Sequence, residues 1–249
     1  MAVEELDVIA ALAFLALTAS PASAAHIPAY VAAAIADASR PKDDVAKDIL
    51  RDPAETLAFA GVRPGMKVAE LAPEGGYYTR LLVDVVGHKG AVWSVENAGW
   101  LRDVLEDSKV VAALKRPNLT LEVQLWGQFK LPWRADLFWT TQNYHDLHIE
   151  SFGHVDMVTF NRAVFAALKP GGAYFILDHD GKPGMVPDDI ARLHRIAKAQ
   201  VIAEVTSAGF KLVGEGKFLE RPTDDLTKVV VDPAIKGHTS QFALKFARP

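Results

Sequence analysis

Met66-Lys-Val-Ala-Glu-Leu-Ala-Pro-Glu-Gly-Gly-Tyr-Tyr-Thr79 is the stretch that decides the fold. A short apolar run begins at Val68, and a turn that contains Gly75 and Gly76 follows it. From Tyr78 onward the apolar residues recur at helical spacing, so the pattern predicts a strand that passes into a helix. Such a turn points the free N–H groups of the helix N-terminus at whatever lies over the strand end.

Two acidic residues follow strand-like runs. Glu70 lies at the end of the first run, and Glu96 ends the next one, which covers residues 91–95. Glu96 lies 20 residues after Gly76. That spacing is typical of an acid that accepts hydrogen bonds from ribose hydroxyls.

Length and composition indicate one α/β domain with a full core. The chain has 249 residues, of which 50% are hydrophobic, and about 200–250 residues is normal for one such domain. The net charge is −4 and no basic stripe occurs, so we expect no nucleic acid partner. The absence of cysteine excludes disulfides, thiolate metal sites and a cysteine nucleophile.

The first residues resemble a secretory leader. Val8–Leu17 is an uninterrupted apolar run, too short for a membrane span, which needs about 20 residues. Ala22–Ala24 fits a signal-peptidase site, so we expect residues 1–24 to be a cleaved signal peptide. The segment before the run carries three acids and no base, which instead favours a retained N-terminal helix. The mature protein is expected to be periplasmic or secreted if the leader is cleaved, without stable membrane insertion, and otherwise cytoplasmic.

The remainder, 25–249, is predicted to be one domain. Residues 25–65 form helices that could cover the ligand cleft, and 66–249 form the core. Predicted strands cover 67–72, 91–95, 119–125, 135–141, 173–177, 210–215 and 241–246. Predicted helices in the core cover 77–86, 99–115, 154–168 and 188–208. This alternation predicts a parallel sheet whose ligand binds outside the carboxyl ends of the strands.

Five segments carry a resemblance to a known family. They are Glu70–Thr79, Asn143–Asp146, Leu168–Gly172, Asp178–His179 and Ala208–Phe210. Over about residues 40–249 the chain resembles the class I S-adenosylmethionine-dependent methyltransferases, and more narrowly a bacterial group of predicted methyltransferases that often carry a leader. The resemblance implies a Rossmann-like three-layer sandwich with a seven-stranded, mostly parallel sheet and an antiparallel last strand. It also implies S-adenosylmethionine as cofactor and a small molecule as substrate.

The turn after the first strand departs from the pattern of that family, which is acid-x-Gly-x-Gly-x-Gly. Glu70 and Gly76 match, but Ala72 and Glu74 replace the first two glycines. Ala72 is compatible with the turn if its φ stays negative, and Gly75 could supply part of the missing flexibility. A carboxylate at Glu74 would repel a pyrophosphate but can lie near a cationic sulfonium. The turn therefore favours S-adenosylmethionine over a dinucleotide.

The resemblance also implies which residues contact the cofactor. Glu70 would orient the turn and the methionine amino group, and Glu96 would accept both ribose hydroxyls, assisted by Asn97. The other residues predicted to contact the cofactor are Ala72, Gly75, Gly76, Tyr77 and Asn143. In the alternative interpretation the stretch is a plain strand–turn–helix, Glu70 only caps backbone N–H groups, and Glu96 is a solvated strand end.

Candidate catalytic residues follow the fourth and fifth strands. They are Tyr144, His145, Asp146 and His179. Methyl transfer is an in-line displacement in which alignment supplies much of the rate, and a base is needed only if the acceptor must lose a proton. Either histidine could be that base, and the flanking Asp178 and Asp180 could raise the basicity of His179. The alternative is that each histidine is a structural hydrogen-bonding residue.

A metal site is a further alternative. Asp146, Asp178, His179 and His194 could converge at the carboxyl edge of the sheet, but no paired-histidine helix signature occurs, so we expect no metal. The acid pairs 188–189 and 224–225 are expected at helix starts or in solvated turns.

Three functional hypotheses therefore remain. The favoured one is a methyltransferase that acts on a small molecule. The second is a non-catalytic protein that binds a small ligand outside the cytoplasm on the same fold. The third is a metal-assisted enzyme.

Overall fold

The computed structural model describes residues 26–249 except Trp100 and His154, and it does not describe the side chains of residues 101–107. The predicted leader, 1–24, lies outside the described residues.

Helices and strands alternate through the described residues. The helices are α1 (Ala29–Ile35), α2 (Lys42–Arg51), α3 (Pro53–Ala60), α4 (Tyr77–Val86), α5 (Leu101–Leu114), α6 (Met157–Ala167), α7 (Pro187–Leu193) and α8 (Lys198–Ser207). The strands are β1 (Lys67–Leu71), β2 (Ala91–Asn97), β3 (Leu119–Gln124), β4 (Ala135–Thr141), β5 (Leu168–His179), β6 (Lys211–Gly216) and β7 (Gln241–Ala247). Short 3₁₀ turns cover Trp126–Gln128, His145–His148 and Glu150–Phe152.

The strands form one sheet of seven, in the order β3-β2-β1-β4-β5-β7-β6, among the residues described. Strands β1 to β5 pair in parallel, and β7 is antiparallel to both of its neighbours. This arrangement confirms the predicted mostly parallel sheet with an antiparallel last strand. The strand order reverses between β1 and β4, which is the topological switch point where such sheets bind ligands.

Helices cover both faces of the sheet. Successive residues of a strand point to opposite faces, and Val68 accordingly joins a cluster with α1, α3 and α4, whereas its neighbour Ala69 joins one with α6 and α8. In β4 the same alternation sends Trp139 to the first cluster and Phe138 to the second. Both clusters are buried, so the three-layer sandwich is confirmed.

Helix α2 is tied to the start of α4. The Arg80 guanidinium lies 2.5 Å from the Asp44 carboxylate. The Tyr77 hydroxyl donates a 2.6 Å hydrogen bond to Asp48, and the guanidinium of Arg51 lies 4.7 Å from the centre of the Tyr77 ring. These contacts hold α2 over the β1–α4 turn, as the position of the N-terminal helices before β1 predicted.

The predicted helix over 188–208 is wrong, because it is broken between α7 and α8. His194 ends α7 with a left-handed φ of 51°. Arg195 then turns inward, where it is fully buried and lies 2.9 Å from the Asp224 carboxylate and 2.9 Å from the carbonyl oxygen of Asp180. A buried guanidinium needs such acceptors, so this anchor redirects the chain. The break directs His194 towards the carboxyl ends of β4 and β5.

The two pairs of neighbouring aspartates, 188–189 and 224–225, differ in burial. Asp188 and Asp189 lie in the first turn of α7, as expected. Asp225 is exposed, also as expected. The prediction for Asp224 is wrong: it is 8% exposed and pairs with Arg195.

Among residues 26–249 that the structure describes, no helix has the length and hydrophobicity that crossing a bilayer requires.

Candidate functional site

A cleft of about 150 Å³ lies at the switch point, between the β1–α4 turn and the end of β4. Helix α2 closes one side of it through Lys47 and Arg51. Four of the residues predicted to contact the cofactor line this cleft, namely Glu70, Ala72, Gly75 and Tyr77. The structure therefore places the predicted turn where the fold rule expects a ligand.

The backbone of the turn is strained. Ala72 and Glu74 have φ values of 48° and 47°, and Gly76 has 73°. The condition of a negative φ at Ala72 is therefore not met. Gly75 does not compensate, because its φ lies outside the left-handed region. A left-handed non-glycine residue costs on the order of 1–3 kcal/mol, and such residues cluster at ligand sites.

Glu70 holds the turn through two hydroxyls. Its carboxylate is buried and accepts a 3.0 Å hydrogen bond from Thr79 of α4 and a 2.5 Å hydrogen bond from Ser94 of β2. The side chain thus joins β1, β2 and α4 at one point. The predicted contact of Glu70 with the cofactor stays a prediction.

Glu96 lies inside the protein. It is 1% exposed, and its Oε1 accepts a 2.8 Å hydrogen bond from the backbone N–H of Asn97. The solvated strand end is therefore excluded. Asn97 accepts from the N–H of Gly99 and donates to the carbonyl oxygen of Phe152 at 3.2 Å. Asn97 therefore fixes the end of β2 to the loop that follows β4.

Asn143 connects the two sides of the switch point. Its Nδ2 donates a 2.7 Å hydrogen bond to Oε1 of Glu74. Asn143 is fully buried, and within the described residues its Oδ1 accepts no hydrogen bond. A buried carbonyl oxygen without a donor is costly, so this atom is a candidate acceptor for a ligand.

His145 is the centre of a second group, just beyond Asn143. Its Nδ1 lies 2.8 Å from Oδ1 of Asp178, and its Nε2 lies 3.3 Å from Nδ1 of His194 and 3.1 Å from Oδ1 of Asp146. Burial opposes a charge on His145, but the Asp178 charge and hydrogen bonds to both aspartates outweigh it and raise the pKa of His145 to about 10. Burial likewise opposes the Asp146 charge, and the two histidines outweigh it and lower the pKa of Asp146.

His179 behaves in the opposite way. Burial lowers the pKa of His179 to about 3, against the smaller opposing effect of Asp178. Asp178 acts in the predicted direction, but burial outweighs it, so the predicted net rise in the basicity of His179 is wrong. The His179 ring lies 2.8 Å from the Thr239 hydroxyl through Nδ1.

Tyr144 is directed away from the turn. Its hydroxyl donates a 2.8 Å hydrogen bond to Glu204 of α8 and accepts one from Asn161 of α6. Burial raises the pKa of Tyr144 well above its usual range. Glu204 also accepts from His148. These contacts give Tyr144 a structural role, and its catalytic role stays a prediction.

The sequence suggested Asp146, Asp178, His179 and His194 as possible metal ligands. The structure brings Asp146 and His194 together with His145 in one cluster, and His179 is not part of it. The roles of Asp178 behind His145 and of Glu204 and Arg195 were missed. The sequence signal for Asp178 was its position directly before His179 at a strand end, whereas Arg195 and Glu204 lie in a pattern that favoured one continuous helix.

Comparison with known proteins gives partial sequence matches. No protein-family model matches the chain. It is 34% identical to the ubiquinone/menaquinone biosynthesis C-methyltransferase UbiE of Burkholderia vietnamiensis over 131 residues, 49% of this chain and 47% of the relative. The same enzyme of Burkholderia ambifaria is 30% identical over 128 residues, with 49% and 47% covered. The chain thus spans about half the length of the curated relatives it matches.

Solved structures share the fold at low identity. A methyltransferase from Aquifex aeolicus, described as S-adenosylmethionine-dependent, has a TM-score of 0.57 at 18% identity and covers 84% of this chain and 100% of its own. The glycopeptide N-methyltransferase MtfA in complex with sinefungin has a TM-score of 0.56 at 16% identity, covering 82% and 86%.

The sheet order, the switch-point cleft and the acid-bearing turn define a Rossmann-like α/β fold with a cleft at the switch point. The chain shares the fold of S-adenosylmethionine-dependent methyltransferases, and about half of it is similar in sequence to C-methyltransferases.

Proposed function

We propose that the protein is an S-adenosylmethionine-dependent methyltransferase that acts on a small molecule. The observation that carries the proposal is the pair of buried carboxylates, Glu70 and Glu96, at the carboxyl ends of β1 and β2 beside the turn into α4. The partial identity to C-methyltransferases supports it. MtfA, which shares the fold, binds S-adenosylmethionine and sinefungin, and we infer the same kind of cofactor here.

The cofactor contacts follow from the site. Glu96 would accept the ribose hydroxyls, and Glu70 would hold the turn against the methionine end. The unpartnered Oδ1 of Asn143 is suited to accept from the methionine ammonium. Gly75, Gly76 and Tyr77, where the turn passes into α4, would lie close to the cofactor.

The chemistry requires few groups. The acceptor atom attacks the methyl carbon as the sulfur–carbon bond breaks, so the sulfonium becomes a neutral thioether. The acceptor proton, if there is one, must pass to a base. With pKa values of about 10 and about 3, His145 carries its proton at neutral pH and His179 does not. A group with a pKa of about 3 is a weak base and a protonated histidine is not a base, so the base role of either histidine stays a prediction.

Calorimetry with S-adenosylmethionine and S-adenosylhomocysteine tests the proposal. We expect saturable binding of one cofactor per chain. Glu96→Gln should weaken it by about 10–100-fold, because a hydrogen bond to a charged group is worth about 1.5–3 kcal/mol. Glu220→Gln, which changes an exposed carboxylate, is the matched control and should bind normally. No binding to the unaltered protein would refute the proposal, and unchanged affinity of Glu96→Gln would remove Glu96 from the site.

The strained turn also supports a second candidate function. Two replaced glycines and a Glu74 carboxylate bound to Asn143 also suit a protein that binds another small ligand without methyl transfer. We propose export for either activity, on the basis of the apolar run and Ala22–Ala24. Mass spectrometry of protein recovered from each cell compartment tests export. A mature N-terminus at Ala25 outside the cytoplasm would support it, and an intact cytoplasmic Met1 form would contradict it.

A further inference from the structure

Three side-chain atoms form a nearly equilateral triangle at the carboxyl edge of the sheet. His145 Nε2 lies 3.1 Å from Asp146 Oδ1 and 3.3 Å from His194 Nδ1. The third side, from His194 Nδ1 to Asp146 Oδ1, is 3.4 Å. Ligands that lie about 2.0–2.2 Å from one ion are separated by about 2.8–3.1 Å in octahedral geometry and about 3.3–3.6 Å in tetrahedral geometry. The triangle therefore has the dimensions of one face of a metal coordination shell.

Asp178 supports this face from behind. It is fully buried, its Oδ1 lies 2.8 Å from His145 Nδ1, and its Oδ2 accepts from the backbone N–H of His145 at 2.8 Å. When Nδ1–H donates to this carboxylate, the Nε2 lone pair of His145 faces the triangle. A carboxylate behind a histidine is the usual support of a metal-bound imidazole.

The triangle also contains an unsatisfied acceptor. Asp146 is 6% exposed, and its Oδ1 receives no hydrogen bond of good geometry from any described residue, although His145 Nε2 lies 3.1 Å and His194 Nδ1 3.4 Å from it. This oxygen faces two ring nitrogens, and a buried carboxylate in that position needs a cation or a proton to be stable. The His194 side chain is 33% exposed, so solvent reaches the triangle from its side.

His194, the third residue of the triangle, is held in place by a strained backbone conformation. His194 adopts a φ of 51° where α7 ends, and the buried guanidinium of Arg195 fixes the chain directly after it. Without this break His194 would continue a helix. A strained backbone that presents a polar side chain to two others is typical of a binding site.

We propose that His145, Asp146 and His194 bind one divalent first-row transition-metal cation, such as Zn²⁺, and that Asp178 orients His145. Two imidazoles and one carboxylate favour such cations over Mg²⁺ and Ca²⁺, which prefer oxygen ligands. Three protein ligands leave at least one coordination position for water or for an oxygen or nitrogen atom of a small ligand. Binding displaces the proton of His145 into solvent. The site does not depend on methyl transfer.

The test is metal binding by the full chain after chelator treatment. We expect one Zn²⁺ or Co²⁺ per chain by calorimetry, and a visible Co²⁺ spectrum of a site with nitrogen and oxygen ligands. Mg²⁺ should not compete. His194→Asn removes an imidazole but tolerates the left-handed backbone, and it should abolish the spectrum. Asp178→Asn should weaken binding by about 10–100-fold.

His238→Ala, which removes an exposed histidine outside the cluster, is the matched control and should bind like the unaltered protein. Circular dichroism checks that each variant is folded, and Asp146→Asn provides a second, nearly isosteric ligand variant. Absence of saturable Zn²⁺, Co²⁺, Mn²⁺ and Fe²⁺ binding would overturn the proposal and leave a protonated His145 as the partner of Asp146. Equal binding by folded His194→Asn and Asp146→Asn would also overturn it.

Discussion

Residues of the β1–α4 turn are constrained in two ways, by left-handed backbone conformation and by close packing. Ala72 and Glu74 occupy left-handed backbone that glycine would adopt freely. At Gly76, which has a φ of 73°, the glycine is required for a further reason. An added Cβ would lie 2.5 Å from Val110 Cγ1 and 2.9 Å from a guanidinium nitrogen of Arg80. The absence of a side chain there is what lets α5 and Arg80 approach the turn.

Gly76→Ala is expected to lower the free energy of unfolding by about 2–5 kcal/mol, from the left-handed penalty together with the overpacking against Val110. Gly65→Ala is the matched control. Its φ is 82°, but an added Cβ meets no atom within 4 Å, so only the conformational penalty applies. Denaturant unfolding of both variants measures the difference. Equal destabilisation would show that the close approach at Gly76 costs nothing.

Among the elements, the break between α7 and α8 shows most clearly where sequence patterns are insufficient. Residues 188–208 contain no glycine or proline, and so nothing local marks the end of α7. The cause is the Arg195–Asp224 pair, whose members are 29 residues apart. A buried aspartate and an exposed one look alike in the local sequence, so the buried Asp224 could not be distinguished from its exposed neighbour Asp225.

Arg195→Met is expected to destabilise the protein by about 3–5 kcal/mol, because Asp224 would keep a buried charge without its partner. Arg192→Met is the control. Its pair with Asp189 is exposed on α7, and such pairs contribute about 0–1 kcal/mol. Thermal and denaturant unfolding compare the two variants. A loss for Arg195→Met no larger than the loss for Arg192→Met would contradict the anchoring role.

At the scale of the whole molecule, the alternation of strands and helices predicted the three layers and the switch point, because it reflects burial along each element. The turn residues Glu70 and Gly76 and the acid Glu96 were likewise recognisable by spacing. The grouping of His145 with His194 was not, since it depends on the break after α7. The backbone of Ala72 also escaped prediction, because φ is set by the surrounding packing.

The N-terminal helix α2 packs against the core through contacts of a charged residue, and these contacts depend on pH. Arg40 and Tyr77 donate to Asp48. Burial opposes the Asp48 charge, but these hydrogen bonds outweigh it and lower the pKa of Asp48. A lowered folded-state pKa stabilises the protein above the unfolded pKa of about 3.9, and the contribution is lost as the pH falls through the folded value.

We therefore expect the docking of α2 to weaken below about pH 4. Asp48→Asn should reduce stability near neutral pH and flatten this acid dependence. Asp43→Asn, at an exposed position of the same helix, should leave both unchanged. Denaturant unfolding across the acidic range measures the slopes. Parallel slopes for Asp48→Asn and the unaltered protein would exclude Asp48 as the titrating group.

The position of β7 between β5 and β6 also constrains the order of assembly during synthesis. Strand β5 leaves the ribosome first, and residues 180–240 follow before its partner β7 is made. Throughout that interval one side of β5 has open hydrogen-bonding groups, and β6 has no neighbour. An open edge can pair with other chains, so the insertion of β7 is the step that protects both β5 and β6 from such pairing.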